Sequence, residues 1–107
     1  MNVLGKLFFL FSPFAVITIH GKSMHPIHPD GSKVLIHKVF YLFQKPQIGD
    51  IVLVRDPRDN KMLIKRVQDK KNDAFFVVGD NKKESTDSRH FGFVARRAII
   101  GKVIARL

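Results

Sequence analysis

The chain contains no cysteine, no tryptophan and a single tyrosine. Without cysteine it can form no disulfide framework, no thiolate nucleophile and no cysteine-ligated zinc or iron–sulfur site. The lack of tryptophan and near lack of tyrosine leave few aromatic platforms on which exposed nucleic acid bases could stack. A length of 107 residues restricts the chain to one domain with one core, which excludes an enzyme with separate cofactor and substrate lobes.

Acidic residues are also scarce, since nine Asp and Glu stand against 19 Lys and Arg and give a formal net charge of +10. Such a charge on a small domain is typical of proteins that bind nucleic acid or an anionic membrane surface. No long block of like charges marks a basic arm, however, and most bases are interspersed with acids. Binding through charge alone therefore stays an alternative interpretation. With 45% hydrophobic residues, the sequence is rich enough in apolar side chains to fold.

An apolar run near the N-terminus, residues 7–19, is interrupted by Pro13. A helix needs about 20 apolar residues to span a bilayer, so this run is too short to cross one by itself. No small-residue cleavage site follows it, which argues against a secretory signal peptide. We predict an apolar N-terminal segment over residues 1–13, docked on the core or lying at a bilayer surface, and one domain over residues 14–107. Membrane association through that segment is expected, with a cytoplasmic location as the alternative.

Hydrophobic patterning after Pro13 indicates short strands separated by turns. β-branched runs bounded by Gly, Pro, Asp and Asn predict strands, and the turn at 56–60 predicts a hairpin. Helical periodicity is almost absent after residue 20. The predicted fold class is therefore mainly β, a single compact β-barrel or sandwich. The predicted strands are 14–20, 34–37, 51–54, 62–67, 75–78 and 99–105.

Ser23 lies where the first predicted strand breaks into a turn, with Gly21 before it and Pro26 after it. A serine at such a corner can present its hydroxyl together with a free backbone N–H, as a nucleophile and an oxyanion donor require. An ordinary turn serine is the alternative, and this segment by itself favours it.

Lys65 and Arg66 are adjacent cations inside a predicted strand. Because strand side chains alternate between two faces, one of the two must point in the same direction as apolar neighbours such as Leu63 and Val67. Burial disfavours the ammonium form, so a lysine placed in this way can act as a neutral general base. A lysine that reaches solvent from an edge strand is the alternative.

An irregular polar segment, residues 79–92, separates two apolar strands. Asp87 and Arg89 can form an ion pair within it, and Ser85 and Ser88 supply hydroxyls that can orient another group. A solvated surface loop is the alternative. The length and the repeated hydrogen-bonding residues indicate a structured loop that braces a site.

Four motifs, in this order, resemble those of the Ser-Lys dyad proteases of the signal peptidase I (S26) family. The family's pattern is Ser-Met-x-Pro, Gly-Asp-hydrophobic-Val, Lys-Arg and Gly-Asp-Asn…Ser-x-Asp-Ser-Arg-x-x-Gly. Here these motifs begin at Ser23, Gly49, Lys65 and Gly79. The resemblance covers residues 14–107 and implies the fold of that family's catalytic core.

The resemblance implies acyl transfer with neither a metal nor a cofactor. Ser23 would attack the scissile carbonyl and its own N–H would donate to the oxyanion, while Lys65 would act as the general base. Ser85 would orient the lysine, and Asp87 and Arg89 would support it as an ion pair. The histidines would then be accessory.

The implied partner is the extended leader peptide of a precursor protein, bound as an added strand, and not nucleic acid. The resemblance also implies that the substrate carries small residues beside the cleaved bond. The residues expected to contact the peptide are His20, Gly21, Met24, Met62, Leu63 and Ile64.

The sequence departs from the family's pattern at two places, and these indicate which branch of the family it most resembles. Gly21 stands where many signal peptidases carry a Ser or Thr as a second oxyanion donor, and residues 66–78 leave no room for the second β domain of larger members. The short form most resembles the branch that removes the leader peptide of nickel-type superoxide dismutase, where the nickel belongs to the substrate. A minimal membrane signal peptidase is the alternative. A basic β domain that binds nucleic acid or anionic lipid is the alternative from a different class.

Overall fold

Residues 12–107 are described by the structure, which is a computed structural model. Seven β-strands in this part of the chain form one antiparallel sheet with the order β1-β2-β7-β3-β4-β5-β6. A short helix and three 3-10 turns lie in the connections. The strands are β1 (Phe14–Thr18), β2 (Lys33–His37), β3 (Ile51–Arg55), β4 (Met62–Lys71), β5 (Ala74–Val78), β6 (Val94–Ala95) and β7 (Ile99–Arg106). The helix is α1 (Ser88–Phe91), and the 3-10 turns are Phe40–Leu42, Lys82–Glu84 and Arg96–Ala98.

The prediction of a single, mainly β domain is confirmed, and the six predicted strands correspond to β1–β5 and β7. The predicted hairpin is β3–β4. The sheet curls into a half-barrel and does not close, because β1 and β6 are its two edges. β4 is longer than predicted, since its exposed second half keeps pairing with β5. β6 and α1 were not predicted.

Both faces of the curled sheet bury apolar side chains. In β3, Val52 and Val54 belong to one core cluster and Leu53 to the other, as the alternation of a strand requires. Register shifts interrupt the pairing of β7 with β2 and with β3. Such irregularities increase the local twist, which helps the sheet to curl.

The connection from β1 to β2 is a closed loop that carries Ser23. The Ile19 N–H donates to the Ser32 carbonyl and the Gly31 N–H donates to the Ile19 carbonyl, each at 2.8 Å, so the two ends of the loop are held together. At its start Gly21 has a φ of +93°, a conformation that favours glycine, and its N–H donates to Asp30 Oδ1 at 2.9 Å.

The first part of β4 leaves one backbone edge without a strand partner. β4 pairs with β3 from Met62 to Arg66, whereas its pairing with β5 begins only at Arg66, opposite Val78. Among the described strands β1 and β6 each have only one neighbour. The free edges of β1 and of residues 62–65 flank the same part of the sheet as Ser23 and can pair with an added chain.

Most of the predicted apolar segment, residues 1–11, lies outside the described residues. From residue 12 onwards, no helix has the length and apolar character needed to cross a bilayer.

Candidate active site

A cavity of about 100 Å³ lies between the end of β1 and the beginning of β4. Ser23 and Lys65, the predicted nucleophile and base, both line it. Five of the six residues expected to contact a peptide line it as well. The exception is Gly21, whose N–H is directed to Asp30. The remaining walls are Thr18, Ile19, His20, Met24, Met62, Leu63 and Ile64.

The side chain of Lys65 is buried, with 2% of its residue surface exposed. Its Nζ donates to Ser85 Oγ at 3.0 Å. Burial lowers the pKa of Lys65 below its ordinary value, the negative charge of Asp87 opposes this shift, and the positive charge of Arg89 adds to it. The neutral amine, which is the form a general base requires, is therefore favoured more than in a surface lysine.

Asp87 is fully buried and anchors the segment that holds Ser85. Its Oδ2 accepts from Ser85 Oγ at 2.6 Å and from the Gly79 N–H at 2.9 Å. Arg89 donates to both carboxylate oxygens, from Nη2 at 2.6 Å and from Nε at 2.9 Å. Burial alone would raise the pKa of Asp87, but these hydrogen bonds outweigh it and hold the pKa well below the usual range. Lys65, Ser85, Asp87 and Arg89 thus form one connected network.

The direction of the hydrogen bonds in this network leaves the lysine lone pair free. Asp87 is ionised and can only accept, so the single hydroxyl proton of Ser85 is donated to it. Ser85 Oγ must then accept from Lys65, which uses one N–H of the amine and not its lone pair. A neutral Lys65 can therefore still accept a proton from another group in the cavity.

Ser23 is held by its carbonyl group, which accepts from the Asn81 N–H at 2.7 Å. Within the described part of the chain the Ser23 N–H has no hydrogen-bond acceptor, so it is available as an oxyanion donor. Gly79 packs against both halves of the site. A Cβ at Gly79 would lie 2.7 Å from the Ser23 carbonyl oxygen and would collide with Ser85 Oγ, so only glycine fits there.

The sequence alone did not predict two features of the bracing segment, residues 79–92. Arg66 donates from Nε and Nη2 to the two oxygens of Asp80, each at 2.9 Å, and so ties the start of the segment to β4. Asp87 is also the N-cap of α1, where its side chain accepts from the Arg89 N–H at 3.0 Å. An Asp followed by a short polar run is a helix-start signal that could have indicated this cap.

One histidine contacts this network: His90 Nδ1 accepts from the Asp87 N–H at 3.3 Å, as part of the cap of α1. His20 is an exposed wall of the cavity, and no group of three or more side chains that could hold a metal ion occurs in residues 12–107. Ser23 and Lys65 bring to the cavity a hydroxyl, an amine of lowered pKa and a free backbone N–H.

Comparison with known proteins shows the family of this chain. The sequence matches the family described as signal peptidase, peptidase S26, over residues 2–69 and 68–107. The chain belongs to this family of serine-type peptidases.

Curated relatives of this S26 peptidase come from organelles and bacteria. Mitochondrial ATP-independent inner membrane protease subunit 1a of Arabidopsis thaliana is 34% identical over 83% of this chain and 67% of the plant protein. Mitochondrial inner membrane protease subunit 1 of Schizosaccharomyces pombe is 31% identical, over 88% and 73% of the two chains. Signal peptidase I V of Bacillus subtilis is 26% identical, over 79% and 80%. The chain spans about two thirds of the length of the plant proteases 1a and 1b.

Proposed function

We propose that this S26 peptidase is a serine endopeptidase that removes the leader peptide of a precursor protein by means of a Ser23–Lys65 dyad. The observation that carries the proposal is the buried Lys65 amine, joined to Ser85, Asp87 and Arg89, in the wall of the cavity that Ser23 also lines. Burial of a lysine lowers the stability of a fold. A buried lysine beside a candidate nucleophile is therefore a candidate for a functional residue.

In the proposed mechanism, Ser23 Oγ attacks the scissile carbonyl carbon while its proton passes to Lys65 Nζ. The oxyanion that forms accepts from the Ser23 N–H. Collapse of the tetrahedral intermediate breaks the C–N bond, and the leaving amine takes the proton from Lys65, which leaves an acyl-enzyme at Ser23. A water molecule then gives a proton to Lys65 and attacks the ester, and Ser23 recovers its proton as the leader is released.

Substrate is proposed to bind as an extended strand at the two free edges beside the cavity. The backbone of residues 62–65 lacks a strand partner on one side, and β1 is an edge strand. Main-chain hydrogen bonds along such edges hold a peptide with little regard to its sequence. Selectivity then falls to the cavity, whose volume of about 100 Å³ suits a small side chain next to the cut.

We also propose which precursor protein is cleaved. The short stretch between Lys65 and Gly79, residues 66–78, favours the nickel superoxide dismutase precursor, and the alternative is a membrane signal peptidase that acts on exported proteins. The membrane proteases among its relatives support association with a membrane. A direct comparison of the two leader types distinguishes the candidates.

We expect the purified protein to cleave a precursor peptide with alanine before the cut about a hundredfold faster than the same peptide with phenylalanine there, because the cavity cannot hold the larger ring. Peptides from a nickel superoxide dismutase precursor and from an exported protein are compared, with mass spectrometry to locate the cut and any acyl group on Ser23. If neither leader is cleaved, the proposed function is contradicted. Faster cleavage of the exported-protein leader would favour the alternative substrate.

The second prediction concerns the pH dependence of cleavage. Arg89 lowers the pKa of Lys65 and also balances the charge of Asp87, so Arg89→Gln is expected to raise the pKa of Lys65. The rising limb of kcat/KM against pH should then move to higher pH, with the lost activity recovered in alkaline buffer. Arg97→Gln removes the same charge from an exposed position and should leave the profile in place. A uniform loss at every pH would mean that Arg89 only supports the loop.

A further inference from the structure

A second cavity, of about 400 Å³, lies on the sheet away from Ser23 and Lys65 and is lined by basic side chains from separate parts of the chain. Arg66 comes from β4, Lys102 and Arg106 from β7, and His28 from the loop after the nucleophile. Because side chains alternate along a strand, Arg66 leaves β4 on the face opposite Lys65. The proposed peptidase mechanism uses none of these four side chains.

The basic side chains that line this cavity outnumber its carboxylates, because Asp50 is the one acidic residue in the part of its walls that the structure describes. Among the described residues, Arg106 has no carboxylate within ion-pair distance, and one of its N–H groups donates to the Ile27 carbonyl at 3.1 Å. Arg66 is paired with Asp80, and Lys102 Nζ lies 3.7 Å from Asp50 Oδ1. An arginine has five N–H donors in a planar fork, so Arg66 and Arg106 retain donors for a further acceptor.

Independent evidence for a ligand comes from His28, one of whose ring nitrogens lacks a hydrogen-bond partner within residues 12–107. The residue is 6% exposed, and its Nδ1 is buried with no hydrogen-bond partner in the described structure. An unpartnered buried nitrogen costs free energy unless a ligand satisfies it. Burial lowers the pKa of His28, and the positive charges of Arg106 and Arg66 lower it further, while Asp80 opposes them. The potential at the wall formed by His28 is therefore positive.

We propose that this cavity binds a phosphate group, carried by the free anion or by a lipid headgroup. Phosphate offers several oxygen acceptors to the donors of Arg66 and Arg106, and arginine binds it through paired, charge-assisted hydrogen bonds. The cavity adjoins the loop that follows Ser23, because Arg106 donates to the Ile27 carbonyl and the His28 N–H donates to the Met24 carbonyl at 2.9 Å. The site is thus a phosphate-binding cavity directly behind the proposed nucleophile loop.

The test is a titration of the purified protein with sodium phosphate against sodium chloride, at pH 7 and equal ionic strength, because screening alone changes surface electrostatics. Binding is followed by calorimetry and by the ring resonances of His28, with the other four histidines as internal references. We expect a saturable shift of His28 with phosphate only. Arg106→Gln should weaken phosphate binding about tenfold, since a hydrogen bond to a charged group is lost. Arg97→Gln, which removes a charge outside this cavity, should change it less than about twofold.

The same resonances distinguish the two sources of phosphate. The protein is mixed with vesicles of phosphatidylcholine that contain phosphatidic acid. If these vesicles shift the His28 resonances and inorganic phosphate competes with them, the ligand is a lipid headgroup. A shift with the free anion alone identifies free phosphate. The proposal is overturned if neither shifts His28, if chloride is equally effective, or if Arg106→Gln and Arg97→Gln bind phosphate equally. Should Arg106→Gln fail to fold, the wild-type titration decides, because phosphate bound elsewhere leaves His28 unperturbed.

Discussion

Replacement of Lys65 by methionine is expected to abolish peptide cleavage while the folded protein stays at least as stable as the wild type. Methionine has a similar length and fills the same buried space, but it has no group that can take the Ser23 proton. General bases contribute about 100- to 10,000-fold to such reactions, so kcat should fall by about a thousandfold or more. Ser23→Ala should cause a comparable loss, and the two losses should not add, because both remove one catalytic unit.

The stability half of this prediction follows from the burial of the lysine. Replacing a buried charged group by an apolar one of similar volume is often neutral or stabilising by about 1–4 kcal/mol. The pKa of Lys65 is lowered in the folded state, so the unfolded chain binds the proton more tightly and stability rises with pH from the folded pKa up to the ordinary lysine pKa of about 10.4. Urea unfolding at pH 7 and pH 10 should therefore show a Lys65→Met advantage that shrinks as pH rises.

Lys71→Met is the matched control, because Lys71 lies at the exposed end of the same strand, β4. Both its activity and its pH-dependent stability should equal those of the wild type. Cleavage by Lys65→Met within about threefold of the wild type would rule out Lys65 as the general base.

The sequence predicted the residues of the site better than it predicted the surface that surrounds them. Strand alternation requires one of Lys65 and Arg66 to be buried among apolar neighbours, but it does not decide which, because both faces of this strand carry apolar residues. The pairing of Asp87 with Arg89 is local, because only one residue separates them. The ion pair could therefore be inferred before the fold was known, whereas the choice of Lys65 over Arg66 came from the resemblance to the S26 motifs.

Features that depend on long-range register could not be inferred in this way. The free edge of residues 62–65 exists because β5 ends opposite Arg66, which no local pattern specifies. The phosphate-binding cavity joins Arg66 with Arg106, and their proximity depends on where β7 enters the sheet. β6 has only two residues, which is too few for any periodicity to be recognised.

Replacement of Asp87 by asparagine is expected to have the largest effect on stability. Asp87 is fully buried and accepts from Ser85, Gly79 and Arg89, so an amide at this position leaves the Arg89 guanidinium without its carboxylate and removes several charge-assisted hydrogen bonds. Breaking a buried ion pair by removing one partner costs about 3–5 kcal/mol, and because asparagine has a similar shape we expect a loss of about 3 kcal/mol. The measurement is the free energy of unfolding in urea at pH 7.

The pH dependence of that loss identifies its cause. The pKa of Asp87 is held below the ordinary value of about 3.9, so its stabilising contribution is fully present above that pH and is lost as the carboxylate is protonated in acid. Wild type and Asp87→Asn should therefore converge in stability as the pH falls below about 4. Asp73→Asn, which removes an exposed carboxylate, is the control and should parallel the wild type at every pH. A gap between wild type and Asp87→Asn that does not change with pH would show that shape, and not charge, accounts for the loss.

Asp87→Asn should also change catalysis in the sense opposite to Arg89→Gln. The negative charge of Asp87 raises the pKa of Lys65, so its removal should move the rising limb of activity to lower pH. The asparagine amide can donate to Ser85, which then turns its own hydroxyl proton toward Lys65 and occupies the lone pair that must accept the Ser23 proton. The plateau of kcat should consequently fall, by about 10- to 100-fold, even where Lys65 is neutral. We therefore expect the pH profile of Asp87→Asn to move to lower pH with a lower plateau, and that of Arg89→Gln to move to higher pH with a plateau that is recovered. Only a network in which both the charges and the hydrogen-bond directions matter explains this pair of results.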